Sequence, residues 1–230
     1  MVKNKKMILL IDTTINPTAI GLWDGKKLQT KTIESNPENN RKIIGIIKKF
    51  IEKESGMTSV RMSKKENTLT GVTPEKLTAV GVINGPGTFT GVRTGVVIAN
   101  TISYALKVPV YSIDTLTAQV PKEINNVVSI LSASNTEVFF ARFIRGKMIG
   151  KIEIVDVVNN LPNRIKKEDL TVGDLQKKHC GSWGSNEFMS VSSLNRIDYL
   201  LQMIINNKLK PATQALPLYI KKPNITKKKK

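Results

Sequence analysis

Residues 83–95 read INGPGTFTGVRTG, a glycine-rich stretch between the apolar run at 79–83 and an apolar helical pattern over 91–107. Four of the chain's 15 glycines (Gly85, Gly87, Gly91 and Gly95) and Pro86 fall here. Such density requires a backbone that turns sharply or that another group approaches closely. Strand, glycine loop and helix in that order place the stretch in an α/β fold. The loop proper is Gly85, Pro86, Gly87, Thr88, Phe89 and Thr90. It aims backbone N–H groups at a helix N-terminus, where an anion would sit well. It fails the sharper templates, because it lacks the Gly-Lys-Ser/Thr ending of a P-loop. Its G-x-G-x-x-x-G spacing also departs from the dinucleotide fingerprint.

The helix behind the loop carries a second signal. Gly91, Gly95, Ala99 and Ser103 recur every four residues and so form one small-residue strip. Glycine inside a helix costs about 1 kcal/mol relative to alanine, so the strip implies close packing. Periodicity leaves two neighbours open: the protein's own sheet, or a helix of a partner.

Working outward, apolar alternation predicts strands at 7–11, 18–23 and 27–33. Asp24-Gly25-Lys26 marks a hairpin between the second and third, with the Asp-Gly pair that type I′ turns prefer. Ser35 and Glu38 fit a capping box and Pro37 a first helical turn, starting a helix that runs to Lys53. Ile43, Ile47, Phe50 and Ile51 share one face of it. A polar loop is expected over 57–70, a helical turn at 73–75 and a closing strand at 108–112. The second half repeats this order, with strands at 127–131, 137–144 and 148–155 and a helix over 195–207. Arg145-Gly146-Lys147 takes the hairpin position of Asp24-Gly25-Lys26. A β-β-β-α unit occurring twice indicates a duplicated α/β fold, divided into residues 1–112 and 113–230.

The 230 residues are enough for a sizeable core, and 40% hydrophobic with 23% charged content is ordinary for a folded domain. A single Cys180 excludes a disulfide framework and fits a reducing compartment. The apolar run at 7–11 is too short for a signal peptide, and no stretch approaches the roughly 20 apolar residues of a membrane helix. A cytoplasmic, soluble protein is expected. The net charge of +18 rests on 29 Lys and only 7 Arg, beside 26 Ile and 19 Asn. Lys, Ile and Asn share A/T-rich codons, so composition alone accounts for much of that charge. Base readers favour the Arg fork, which is scarce here. The run 227–230 is expected to be a solvated tail.

Asp12-Thr13-Thr14 ends the first strand, where a carboxylate could hold Mg²⁺ beside a nucleotide. The matching strand end in the second half is Ser132-Ala133-Ser134, with no acid, so such a clamp is incomplete. Asp12 is therefore expected to cap a turn. His179 is the sole histidine, which excludes a zinc hydrolase built on a histidine pair. Cys180 has no base beyond its own neighbour, and Gly181-Ser182-Trp183-Gly184 reads as a loop. No catalytic, metal or cofactor-binding residue is assigned.

These residues together resemble the TsaB (YeaZ) family of bacterial tRNA threonylcarbamoyladenosine biosynthesis proteins. ILLIDTT and TAIGLWDGKK are similar to the family's first strands, and GPGTFTGVRTG to its GPGSFTGxRxG signature with Thr88 for Ser. VPVYSIDTLTAQ, EVFFARF and PLYIKKP are similar to later segments. The resemblance implies a duplicated actin/Hsp70-like (ASKHA, ribonuclease H-like) two-domain fold with a degenerate nucleotide site and no cofactor. It implies a non-catalytic subunit that pairs with the catalytic paralogue TsaD and the ATPase TsaE, meets tRNA only through that complex, and also forms homodimers. The implied partner surface lies on the helices at 37–53 and 91–107, at Ile43, Ile47, Phe50, Gly91, Arg93, Gly95, Ala99 and Ser103. The chain departs from the family's usual residues at Ser132-Ala133-Ser134, Asn39 and Lys221. Competing readings are an ATP-dependent sugar-kinase-like or carbamoyl-transfer enzyme, motivated by Asp12 and the loop, and a tRNA-binding module, motivated by the charge.

Overall fold

Buried strands carry apolar residues on both faces, and Met7–Asp12 (β1) is buried along its whole length. It lies at the centre of a five-stranded sheet. Thr18–Trp23 (β2) and Leu28–Ile33 (β3) extend that sheet antiparallel on one side. Leu77–Ile83 (β4) and Val110–Ile113 (β5) extend it parallel on the other, giving the order β3-β2-β1-β4-β5. The second sheet repeats the plan with Asn126–Ser132 (β6) at its centre. Glu137–Ile144 (β7) pairs antiparallel with it and Lys147–Asp156 (β8) antiparallel with β7, while Leu170–Asp174 (β9) pairs parallel with β6 and Phe188–Ser190 (β10) parallel with β9. Its order, β8-β7-β6-β9-β10, is that of the first sheet. The computed structural model describes residues 6–55, 77–174 and 188–220. The expected loop at 57–70, the turn at 73–75, His179, Cys180, residues 181–184, Lys221 and the run 227–230 lie outside the described residues.

The helices cover the first sheet on both faces. Pro37–Ser55 (α1) and Phe89–Leu106 (α2) bury Ile43, Ile47, Phe50, Val96 and Ala99 against Leu9, Ile11, Ile20 and Val80. Ser193–Ile205 (α3) buries Ile197, Leu200, Leu201 and Ile204 against Ile8, Leu10 and Ile83 on the opposite face. Each such aliphatic side chain taken from water contributes about 1.5–3 kcal/mol. Although α3 follows the second sheet in the chain, it packs on the first. Ala212 likewise pairs with Val110 at the edge of the first sheet.

Two local expectations change. The α1 helix begins one residue later than the capping-box reading placed it: Asn36 is the cap, its Oδ1 accepting from the Asn39 N–H at 2.8 Å. Ser35 instead gives its N–H to Asn16 Oδ1. The turn types are also exchanged. Asp24 closes a four-residue loop, with Oδ1 accepting from the N–H groups of Lys26 and Lys27. The two-residue turn is Arg145-Gly146, both at positive φ (50° and 72°), between the paired residues Ile144 and Lys147.

Candidate functional site

The glycine loop connects β4 to α2, and its neighbour is the chain itself. Thr88 donates its N–H to the Thr14 carbonyl at 2.8 Å, and Thr13 Oγ1 donates to the Gly91 carbonyl at 2.6 Å. A Cβ on Gly87 or Gly91 would overlap the carbonyl oxygens of Thr14 and Thr13, and one on Gly95 would overlap Thr13 Oγ1. The loop after β1 is therefore seated in the notch that the glycines leave. Gly85 turns at φ +108°, with the Leu218 carbonyl against its open side. Thr115 ties the same turn from the far side, its N–H to Gly85 O and its hydroxyl to Pro86 O. Thr88 caps α2 by accepting from the Gly91 N–H at 3.2 Å.

This packing places most of the expected partner residues inside the chain. Ile43, Ile47, Phe50, Gly95, Ala99 and Ser103 are buried in the chain itself, with Ile47 in the wall of the groove between the two helices. Gly91 is half-buried against Thr13, and of the eight residues Arg93 alone is exposed, lying over the Phe89 ring at 4.6 Å. The small-residue strip faces inward because the helix must approach β1 and the loop after it. The outer faces of α1 and α2 form a different set. Ile44 (60% exposed), Val97 (56%) and Tyr104 (87%) reach solvent. Between the helices runs an apolar groove of about 140 Å³ that includes Ile44, Ile51, Val97, Thr101 and Ala105.

The end of β1 holds a buried charge pair. Asp12 does cap a turn, with Oδ1 accepting from the N–H and hydroxyl of Thr14 at 3.0 and 2.6 Å. Its other oxygen, Oδ2, accepts from Arg196 Nε of α3 at 2.7 Å, both side chains being fully buried. Arg196 Nη1 donates to Gln119 Oε1 (3.3 Å) and to the Val191 carbonyl (3.2 Å). Gln119 Nε2 in turn donates to Ser129 Oγ of β6 at 2.9 Å. Asp174, closing β9, is partly buried; burial raises its carboxyl pKa, the Arg196 guanidinium opposes the rise and the Asp12 charge adds to it.

Sequence reasoning did not reach Arg196. Its signal was its register, four and eight residues before the buried Leu200 and Ile204, which puts a cation on an apolar stripe. The residues do not fit the metal–nucleotide group of an actin-like site. The Asp12 carboxylate is engaged on both oxygens, and the matching strand of the second half ends at Ser132. Among the described residues no group of three His, Cys, Asp or Glu side chains is gathered to hold a metal.

A second cavity, about 260 Å³, lies over the glycine loop, where Pro86, Gly87, Thr88 and Phe89 face Ala133, Ser134 and Phe139. Tyr219 borders it and stacks on Phe89 with ring centroids 5.0 Å apart. Ser134 Oγ donates to Glu137 Oε2 at 3.0 Å.

A family model described as "TsaD: tRNA N6-adenosine threonylcarbamoyltransferase" matches residues 32–177. The tRNA threonylcarbamoyladenosine biosynthesis protein TsaB of Buchnera aphidicola (from Schizaphis graminum) is 27% identical over 184 residues, spanning 75% of this chain and 80% of that one. TsaB of Escherichia coli K12 is 22% identical over 93% of this chain and 94% of its own length. Among solved structures, YeaZ from Pseudomonas aeruginosa superposes with a TM-score of 0.68 at 16% identity, over 94% of this chain and all of that one. That likeness supports the duplicated α/β actin-like fold read from the two sheets. The chain belongs to the family that the TsaD model describes, and within it to the TsaB (YeaZ) group.

Proposed function

We propose that this protein takes part in tRNA threonylcarbamoyladenosine biosynthesis as a non-catalytic cytoplasmic subunit that pairs with a TsaD-type paralogue. The observation that carries the reading is the exposed apolar groove between α1 and α2, with Ile44, Val97 and Tyr104 standing in solvent. Contiguous exposed apolar surface on a helix pair marks a protein-binding face. The engaged state of Asp12 supports the non-catalytic part. No helix among the described residues is long and apolar enough to cross a membrane.

The test is co-purification with the TsaD paralogue of the same genome. A charge at the centre of an apolar interface costs several kcal/mol, so Val97→Arg lowers affinity by at least about 100-fold. Because Val97 is exposed, the same substitution leaves the melting temperature of the isolated chain unchanged. Full retention of binding in Val97→Arg and Ile44→Arg overturns the reading. Self-association lost on the same substitutions would identify a second copy as occupant, and recruitment of TsaE needs the paralogue present.

A further inference from the structure

We infer that Arg196 is a tethered cation: its guanidinium supplies the positive charge that the oxygens gathered between the two sheets call for, and it fixes the halves in one relation. Four oxygen-bearing groups surround or face it. Asp12 Oδ2 accepts from Nε, Gln119 Oε1 and the Val191 carbonyl accept from Nη1, and Asp174 exerts its field on it. Carboxylate, amide and carbonyl oxygens are also the donors that hard divalent cations take. Here the charge they neutralise comes from α3 on a covalent stem.

The fully buried guanidinium retains one unpartnered nitrogen, Nη2. A buried guanidinium with an unmet donor is costly, and what holds it is the equally buried Asp12 charge. The groups it gathers belong to different bodies. Asp12 ends the first sheet; Val191 follows β10 and Gln119 bonds Ser129 of β6 in the second. One side chain therefore joins both sheets at the floor of the space between them. This inference stands apart from the pairing proposal, since it concerns the chain alone and its readouts need no partner.

The experiment compares wild type with Arg196→Ala in thermal denaturation, with and without Mn²⁺ or ethylguanidinium at millimolar concentration. Removing one member of a buried pair strands the other, and the expected loss is a fall in Tm of roughly 10 °C. Either cation then raises the Tm of Arg196→Ala by several degrees and leaves wild type unmoved. Equal stabilisation of wild type by Mn²⁺, or no response of the variant to either cation, overturns the inference. Should Arg196→Ala fail to fold, Asp12→Asn/Arg196→Met decides. With both charges gone it folds without an added cation and answers to none. Failure of that neutral pair to fold would show that the shape of the arginine, not its charge, is what the site requires, and the inference falls.

Discussion

The inner and outer faces of the α1–α2 layer are both made of small and aliphatic residues, yet they do opposite things. Gly91, Gly95, Ala99 and Ser103 press α2 onto the loop after β1 and the first sheet. Gly45 on α1 has nothing within 4 Å of where a Cβ would stand, and Ile44 and Val97 nearby are exposed. A small residue recurring at helical spacing reports that something comes close; it does not say what. The inward face is over-determined by contacts within the chain, whereas the outward face keeps aliphatic side chains in solvent.

Substitutions with the same chemistry on the two faces separate them most sharply. Gly91→Ala pushes a methyl group into the backbone carbonyl of Thr13, which cannot swing aside as a long side chain would. The expected loss is about 3 kcal/mol, read by urea denaturation, together with faster exchange of the Thr88 amide that bonds Thr14. A change below about 0.5 kcal/mol would mean that the two loops are not seated as described. Next in size is Ser103→Ala. It removes the 2.6 Å bond to the Val108 carbonyl at the end of α2, for about 1–2 kcal/mol. On the outer face the sign reverses. Gly45→Ala meets open space and gains helix propensity, stabilising the isolated chain by about 0.5–1 kcal/mol. Destabilisation there would show that α1 is not exposed along that side.

Much of the two sheets was legible because the signals are local. Glycine density marked the loop, alternation marked β2 and β7 to the residue, and four-residue spacing marked the packed face of α2. What stayed illegible depends on distant partners. Thr13 meets Gly91 in the glycine notch from 78 positions away in sequence, and Arg196 meets Asp12 across 184. Nothing in either local pattern names the other. The burial of Ile43, Ile47 and Phe50 has a related cause. A helix with an apolar face must first cover its own sheet, and Ile44, off that face, reaches solvent. The β9 and β10 strands, five and three residues long, were not read from the sequence. Where α1 stands in the first half, a 3-10 turn at Pro162–Arg164 is the helical element between β8 and β9.

The smallest expected effect concerns the junction on which the inner face ends. Asp114 follows β5, and burial raises its carboxyl pKa above 3.8 despite hydrogen bonds from the Thr117 N–H and hydroxyl that pull it down. A carboxyl whose folded pKa is raised binds its proton more tightly in the native state than in the unfolded chain. Its contribution is therefore most favourable in acid and is lost as pH climbs from the unfolded value through the raised native one. Asp114→Asn has no proton to lose and removes that slope, while its amide oxygen can still accept from the Thr117 N–H. Urea denaturation of both proteins between about pH 3 and 7 reads the difference as a stability gap that moves in the variant's favour as pH rises. Asp174 is raised as well, but its shift is opposed by Arg196 and so tied to the charge pair. If the slope vanishes in Asp114→Asn but persists in Asp174→Asn, the proton belongs to the rim of the first sheet. The reverse result would assign it to the junction between the sheets.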